Sequence, residues 1–258
     1  MARSATLGRR RVSSPPLERA VEPLLPQQPS GTHLHSLLET ARRAADAAAV
    51  IRKRHPDHAI IAEEIHDGDP VATPPSGPAW IIDPLDGTTN FLHGYPMHAS
   101  SVALAIGGIP AVEAVSCAPM GERWWAARGE GAWKNGASIK VSQVEGIRRA
   151  LIATGFPFKT QHLLGEHSAQ LVRVLGATGG VRGGGAAAMD LCYLADARFD
   201  AFWELFLNSW DFAAGWVIVE EAGGVLGQVE GGPLRLTSGT VIGANSPVMK
   251  AALHDLIE

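Results

Sequence analysis

The sequence predicts a layered α/β protein. The first half of the chain holds short apolar runs joined by hairpin turns, while the second half mixes helix-length apolar segments with further strands. With 258 residues, 46% of them hydrophobic, the chain suits one large domain or two small ones and can bury a sizeable core.

Each element has its own signal. Leu34 to Arg54 is rich in alanine with leucines at helical spacing, which predicts an amphipathic helix that Pro56 ends. Ala59 to Ala62 reads as a strand running straight into Glu63-Glu64, and Trp80 to Ile82 as a second strand stopped by Asp83-Pro84. Ser101 to Ile106 and Ala111 to Cys117 form a hairpin about Gly107-Gly108. Trp124 to Ala127 and Ala132-Trp133 extend the antiparallel run, with Lys134-Asn135-Gly136 as the next turn. A glycine-rich stretch, Gly176 to Gly185, leads into a helix from Ala186 to Ala197, followed by a strand from Phe199 to Glu204. Asp211 to Ala222 is the last helix read here, and Gly223-Gly224 supplies the left-handed residue at its end. Met1 to Gly31 differs in kind, with arginines and prolines but little periodicity. It reads as a disordered tail (1–31) ahead of a single folded domain (32–258). Glu18 and Glu22 argue against an organelle transit peptide.

Charge and cysteine content narrow the function classes. A formal net charge of −4 gives no basic surface for nucleic acid or an anionic membrane, and no apolar run reaches the length of a membrane span. Cys117 and Cys192, far apart and without ligand spacing, read as reduced core residues of a cytoplasmic protein. Trp124, Trp125, Trp133, Trp203, Trp210 and Trp216 read as core, Lys134 as solvated at its turn, and His93 and His98 as structural hydrogen-bonding groups.

The chemistry concentrates in Trp80-Ile81-Ile82-Asp83-Pro84-Leu85-Asp86-Gly87-Thr88-Thr89-Asn90. Two aspartates follow an apolar strand within four residues, on a turn where side chains can converge. Together with the Leu85 carbonyl they form a hard-oxygen set that favours Mg²⁺. Gly87 frees the backbone, Thr88 or Thr89 can cap a following helix, and amides at that helix start suit a phosphate. Taken singly, Glu63-Glu64 would be a solvated charge pair and Asp211 a helix N-cap; beside Asp83 and Asp86 they read as parts of a multi-metal centre.

These motifs resemble the inositol monophosphatase family of the lithium-sensitive, metal-dependent phosphatase superfamily. The resemblance rests on Ala62-Glu63-Glu64, on Trp80 through Asn90, and on Trp210-Asp211-Phe212-Ala213-Ala214-Gly215. Gly131 to Gly136, Thr154 to Pro157 and Gly185 through Glu204 support it. It implies an αβαβα layered sandwich, a homodimer, and hydrolysis of a small phosphorylated polyol or sugar with two or three Mg²⁺ ions, or Mn²⁺ in their place. Glu63, Asp83, Asp86, Asp211 and the Leu85 carbonyl would hold the metal, and Glu63 and Thr88 would serve catalysis. Glu63, Leu85, Asp86 and Asp211 would also face the substrate. The Gly87 and Thr88 amides would hold its phosphate, the Thr88 hydroxyl would orient the attacking water, and Gly185, Ala186, Ala187 and Glu204 would line the polyol side. Fructose-1,6-bisphosphate and histidinol phosphate are alternative substrates for the same motifs. The chain departs from the family ahead of Arg52, where a lysine-bearing loop and a Thr-x-x-Asp segment are missing. Asp46 and Glu39 are the acidic candidates left to partner Thr88. That departure supports a second class of function, a catalytically weak member that binds or regulates.

Overall fold

The computed structural model describes residues 49–66, 76–157 and 160–258. The tail, Glu39, Asp46 and most of the helix read over Leu34 to Arg54 lie outside them; residues 49–54 are helical.

Among the described residues the strands make two sheets. The first holds β1 (Ala59–Ala62), β2 (Ala79–Asp86), β3 (Ala99–Ile106), β4 (Ile109–Cys117), β5 (Glu122–Ala127), β6 (Gly131–Lys134) and β7 (Ala137–Ser138) in sequence order. Only the β1–β2 pair is parallel; the rest is an antiparallel meander. The expected turn at Lys134-Asn135-Gly136 joins β6 to β7, with Asn135 at φ 49° and Gly136 at φ 86°, the positive angles that a tight hairpin turn demands. The second sheet takes the order β11 (Val225–Gly227), β12 (Thr240–Ala244), β10 (Ala201–Leu205), β8 (Leu151–Thr154), β9 (Gly180–Arg182).

Side-chain alternation decides how the layers stack. Along β8 and β10, Ala153 and Phe202 face one core while Ile152, Ala201 and Trp203 face another. The first core encloses α4 (Ala187–Ala195) and α5 (Ser209–Glu221) between the two sheets. The second packs α3 (Leu164–Ala177) and α6 (Pro247–Ile257) on the far side of β8–β10–β12. Ile51, from the helical residues 49–54, packs on Ala62 and Ile82 across the outer face of the first sheet. The result is the expected αβαβα sandwich. All nine residues of α4 are buried, as a helix flanked by sheets on both sides requires. Two short helices complete the site end: α1 (Glu63–His66) and α2 (Thr88–Leu92).

Several expectations need correction. Pro84 does not end its strand. Asp83 pairs with Ser101 and Asp86 with Ala99, so Pro84 and Leu85 together oppose Ser100 in a bulge. The missing proline N–H falls where pairing lapses anyway, and Ser100 Oγ donates to the Pro84 carbonyl at 2.7 Å. The helix from Ala186 stops at Ala195, and Ala197 takes a left-handed φ of 68°. Trp125 and Trp133 are 38% and 37% exposed because they point from the outer face of the first sheet, whereas Trp124, Trp203, Trp210 and Trp216 are core. His98 packs edge-on against Phe91.

Lys134 is not a solvated turn residue. Its Nζ lies 2.7 Å from Glu122 and 2.9 Å from Asp196, and over the Trp124 ring. Arg198 also pairs with Glu122, and the two cations hold that carboxyl below its usual range, Arg198 first. The Asp196 side chain is only 4% exposed, so truncating Lys134 strips a charged partner from a buried acceptor. Lys134→Ala is expected to lower stability by roughly 1–3 kcal/mol, the range for taking a partner from a buried polar group. Urea unfolding checks this; an unchanged midpoint would show that the network contributes nothing.

Candidate metal and phosphate site

The bulge in β2 is what gathers the acidic groups. A regular strand would send Asp83 and Asp86 to opposite faces, since they are three residues apart. The extra residue re-aims the chain, so both side chains are buried at the same end of the sheet, with 1% and 7% exposure. Each carboxylate is then fixed through one oxygen by a backbone amide. Leu85 N–H donates to Asp83 Oδ1 at 2.8 Å, and Ala188 N–H, from α4, donates to Asp86 Oδ2 at 2.9 Å. At the start of α5, Asn208 N–H donates to Asp211 Oδ2 at 2.7 Å. Asp211 is therefore the third residue of a capping box, and Asn208 is the N-cap.

Burial and mutual repulsion dominate the electrostatics. Desolvation, then Asp86, Glu63 and Asp211, push the Asp83 carboxyl up to about 9. Asp86 is raised well above the carboxylate range by burial and by Asp211, with smaller contributions from Glu204 and Asp190. Glu204 is raised by desolvation, then by Asp190 and Asp211. Asp83 and Glu204 thus face only other acids and a desolvating interior, apart from the Leu85 amide at Asp83. Such a cluster calls for a cation, and oxygen donors of this hardness suit a divalent ion of the Mg²⁺ type. Among the described residues, no three His, Cys, Asp or Glu side chains are close enough together to form a metal sphere. The acids therefore feel one another's charge, which reaches further than a metal–oxygen bond, without forming a closed metal sphere in this structure.

The other expected residues lie around the same point. Gly87 has φ 84°, and a Cβ there would stand 2.8 Å from the Met97 carbonyl and 3.2 Å from the Ala186 Cβ, so the position admits glycine alone. Gly87, not a threonine, occupies the cap of α2; the Thr88 hydroxyl instead donates to the Leu85 carbonyl at 3.1 Å. A carbonyl carries two lone pairs, so this bond leaves Leu85 a second acceptor direction. Gly185 lies against the Asn90 carboxamide, Ala186 caps α4, and Ala187 begins it. Gly155 is pressed against the Glu204 carboxyl, so that a side chain there would displace it.

Sequence reasoning missed Asp190. It is fully buried in α4, and neither carboxyl oxygen has a hydrogen-bond partner among the described residues. Burial pushes it up to about 8, against a small opposing effect of the Gly184 amide, which approaches without good hydrogen-bond geometry. One acidic residue inside Ala186-Ala187-Ala188-Met189-Asp190-Leu191-Cys192 was the available signal. Also missed was the Ala188 amide, which no side-chain pattern encodes.

The inositol monophosphatase family model matches residues 28–258, and the chain belongs to that family. The Nus factor SuhB of Pseudomonas aeruginosa is 40% identical over 217 residues, covering 82% of this chain and 79% of that protein. The solved extragenic suppressor protein suhB of Bartonella henselae is 34% identical at a TM-score of 0.76, covering 84% of this chain and 82% of that one. Inositol monophosphatase from Anabaena is 32% identical at a TM-score of 0.76, with 88% and 89% covered. The family is generally metal-dependent. No helix among the described residues is long and apolar enough to cross a membrane.

The repulsion has a measurable sign. In the metal-free protein Asp83 binds its proton more tightly when folded than when unfolded, so its contribution is favourable below the unfolded value near 4 and is lost as pH rises toward about 9. Asp83→Asn removes that loss. At pH 8 in EDTA the variant is expected to be more stable than wild type by at least about 1 kcal/mol, less than the worth of one pKa unit. The gain should vanish near pH 4. Thermal melts across this range check it, and a destabilised variant at pH 8 would contradict the assignment.

Proposed function

We propose that the chain is a phosphomonoesterase for a small polyol or sugar phosphate, of which inositol monophosphate is the first to test. The observation that carries the reading is the pair of buried carboxylates Asp83 and Asp86, both repelled by the half-buried Asp211, beside the glycine turn at Gly87. Asp83, Asp86, Asp211, Glu63 and the Leu85 carbonyl would hold two or three Mg²⁺ ions, with Mn²⁺ as a substitute. When bound, such ions lower the pKa of water and offset charge on the leaving oxygen.

The chain's own groups supply binding and orientation. The Gly87 and Thr88 amides receive the phosphate, and Asp86 keeps its place through the Ala188 amide. Glu204, with Gly155 packed against it, accepts from substrate hydroxyls on the side walled by Gly185, Ala186 and Ala187. The Thr88 hydroxyl orients water from its anchor on the Leu85 carbonyl. A cytoplasmic homodimer is part of this proposal; two buried, free cysteines are consistent with a reducing compartment.

A second reading has its own support: curated relatives at 38–41% identity carry the name Nus factor SuhB. Under it the chain binds a regulatory partner and turns over slowly or not at all. Phosphate release from a panel of polyol and sugar monoesters, with and without Mg²⁺, separates the two. The enzyme reading expects Mg²⁺-dependent release that Asp83→Asn and Asp211→Asn each abolish without unfolding the protein. Thr88→Ala is expected to lose less than the upper part of the general-base range of about 10²–10⁴-fold, because the Thr-x-x-Asp segment that carries the family's usual partner of that hydroxyl has no match ahead of Arg52. No release from any ester with Mg²⁺ present would leave the regulatory reading in its place.

A further inference from the structure

We infer that Asn90 is a positioning residue that fixes the distance between the phosphate end of the site and its polyol wall. The inference rests on the phosphatase reading above for its kinetic consequence, but its geometry stands independently. Asn90 lies in α2, two residues after Thr88. Its Nδ2 donates to the Met97 carbonyl at 2.6 Å and to the Gly184 carbonyl at 2.8 Å. The second partner is 94 residues away in sequence, in the loop that opens α4. Both partners are carbonyls, so only the amide end of the carboxamide can face them.

The loop is held from other directions too. A Cβ on Gly184 would come within 2.6 Å of Asp190 Oδ1 and 3.0 Å of the Met97 Cε, so its backbone rests directly on the buried Asp190. A Cβ on Gly185 would stand 3.1 Å from the Asn90 Nδ2. Two residues past Ala186, the Ala188 amide is tied to Asp86. Met97, the other carbonyl partner, is the same group that closes over Gly87. One side chain therefore joins the phosphate turn, the strand-leading segment at Met97 and the Gly184–Ala187 wall. A substrate that spans both ends reads the spacing that Asn90 sets, whereas an ester too short to reach the wall does not.

The consequence is selective. Removing the donor lets the wall shift relative to the phosphate turn, and a misplacement of about 1 Å can lower the rate about 10²-fold. In Asn90→Ala, kcat/KM for inositol monophosphate should fall about 10²-fold, while that for propyl phosphate should fall less than about threefold. Asn90→Asp keeps the shape but loses both donors and should fall as far as alanine. Asn90→Ser keeps a shorter donor, should lose less, and carries the comparison if the alanine variant does not fold. Hydrogen exchange of the Gly185–Ala188 amides should quicken in Asn90→Ala. Equal losses on both esters would mean a general structural role and overturn the inference, as would unchanged exchange. If wild type hydrolyses neither ester, the phosphatase reading falls while the exchange measurement still decides the role of Asn90.

Discussion

The constraint on which the site depends is that carboxylates buried together repel one another and cannot stay ionised unaided. Asp83 and Asp86 reach the end of the first sheet on one strand, Asp211 arrives on the first turn of α5, and Glu204 on β10 of the second sheet. Asp86 and Asp211 raise the proton affinity of Asp83, and Asp211 and Glu204 that of Asp86. Isolated burial of even one ionised carboxylate is costly by several kcal/mol, so a fold with no use for charge here would replace them with apolar residues at little loss. A cation bound among them would offset that cost, and the family is generally metal-dependent.

The architecture is arranged around delivering those groups rather than merely enclosing them. A bulge at Pro84-Leu85 turns the two aspartates toward one point, and the amides of Leu85, Ala188 and Asn208 each hold one carboxylate oxygen. Two of those amides lie beside other candidate site elements, Leu85 beside the Gly87 turn and Ala188 in the helix that follows Gly185. Asn90 adds a hydrogen bond to Gly184.

Much of this was legible in the chain because it is local. The strand at Ala59–Ala62, the hairpin at Gly107-Gly108, the Asn135-Gly136 turn and the left-handed Gly223 at φ 93° all follow from short-range pattern. The misreadings have a common cause, which is tertiary structure. Proline is a strand breaker only if its lost hydrogen bond was needed, and the bulge removes that need. Lys134 reads as solvated until Glu122 and Asp196 arrive from other segments, and tryptophans on a sheet read as core until the outer face is known. The short strands β8 and β9 and the helix α3 lack capping or turn signals strong enough to stand out, whereas α6 carried one that sequence reasoning missed, Ser246 as N-cap with Pro247 in the first turn. The acids of the site were read from motif and resemblance, whereas the amides that orient them carry no side-chain identity.

The claim that a divalent cation completes the carboxylate cluster is tested most directly by titrating Mn²⁺ into the metal-free protein at pH 8 and following the relaxation of water protons. The account predicts at least one bound ion per chain with exchangeable water on it, displaced by Mg²⁺ and lost in Asp86→Asn, a variant that should remain folded. Binding that survives Asp86→Asn unchanged, or no binding at millimolar Mn²⁺, would contradict it.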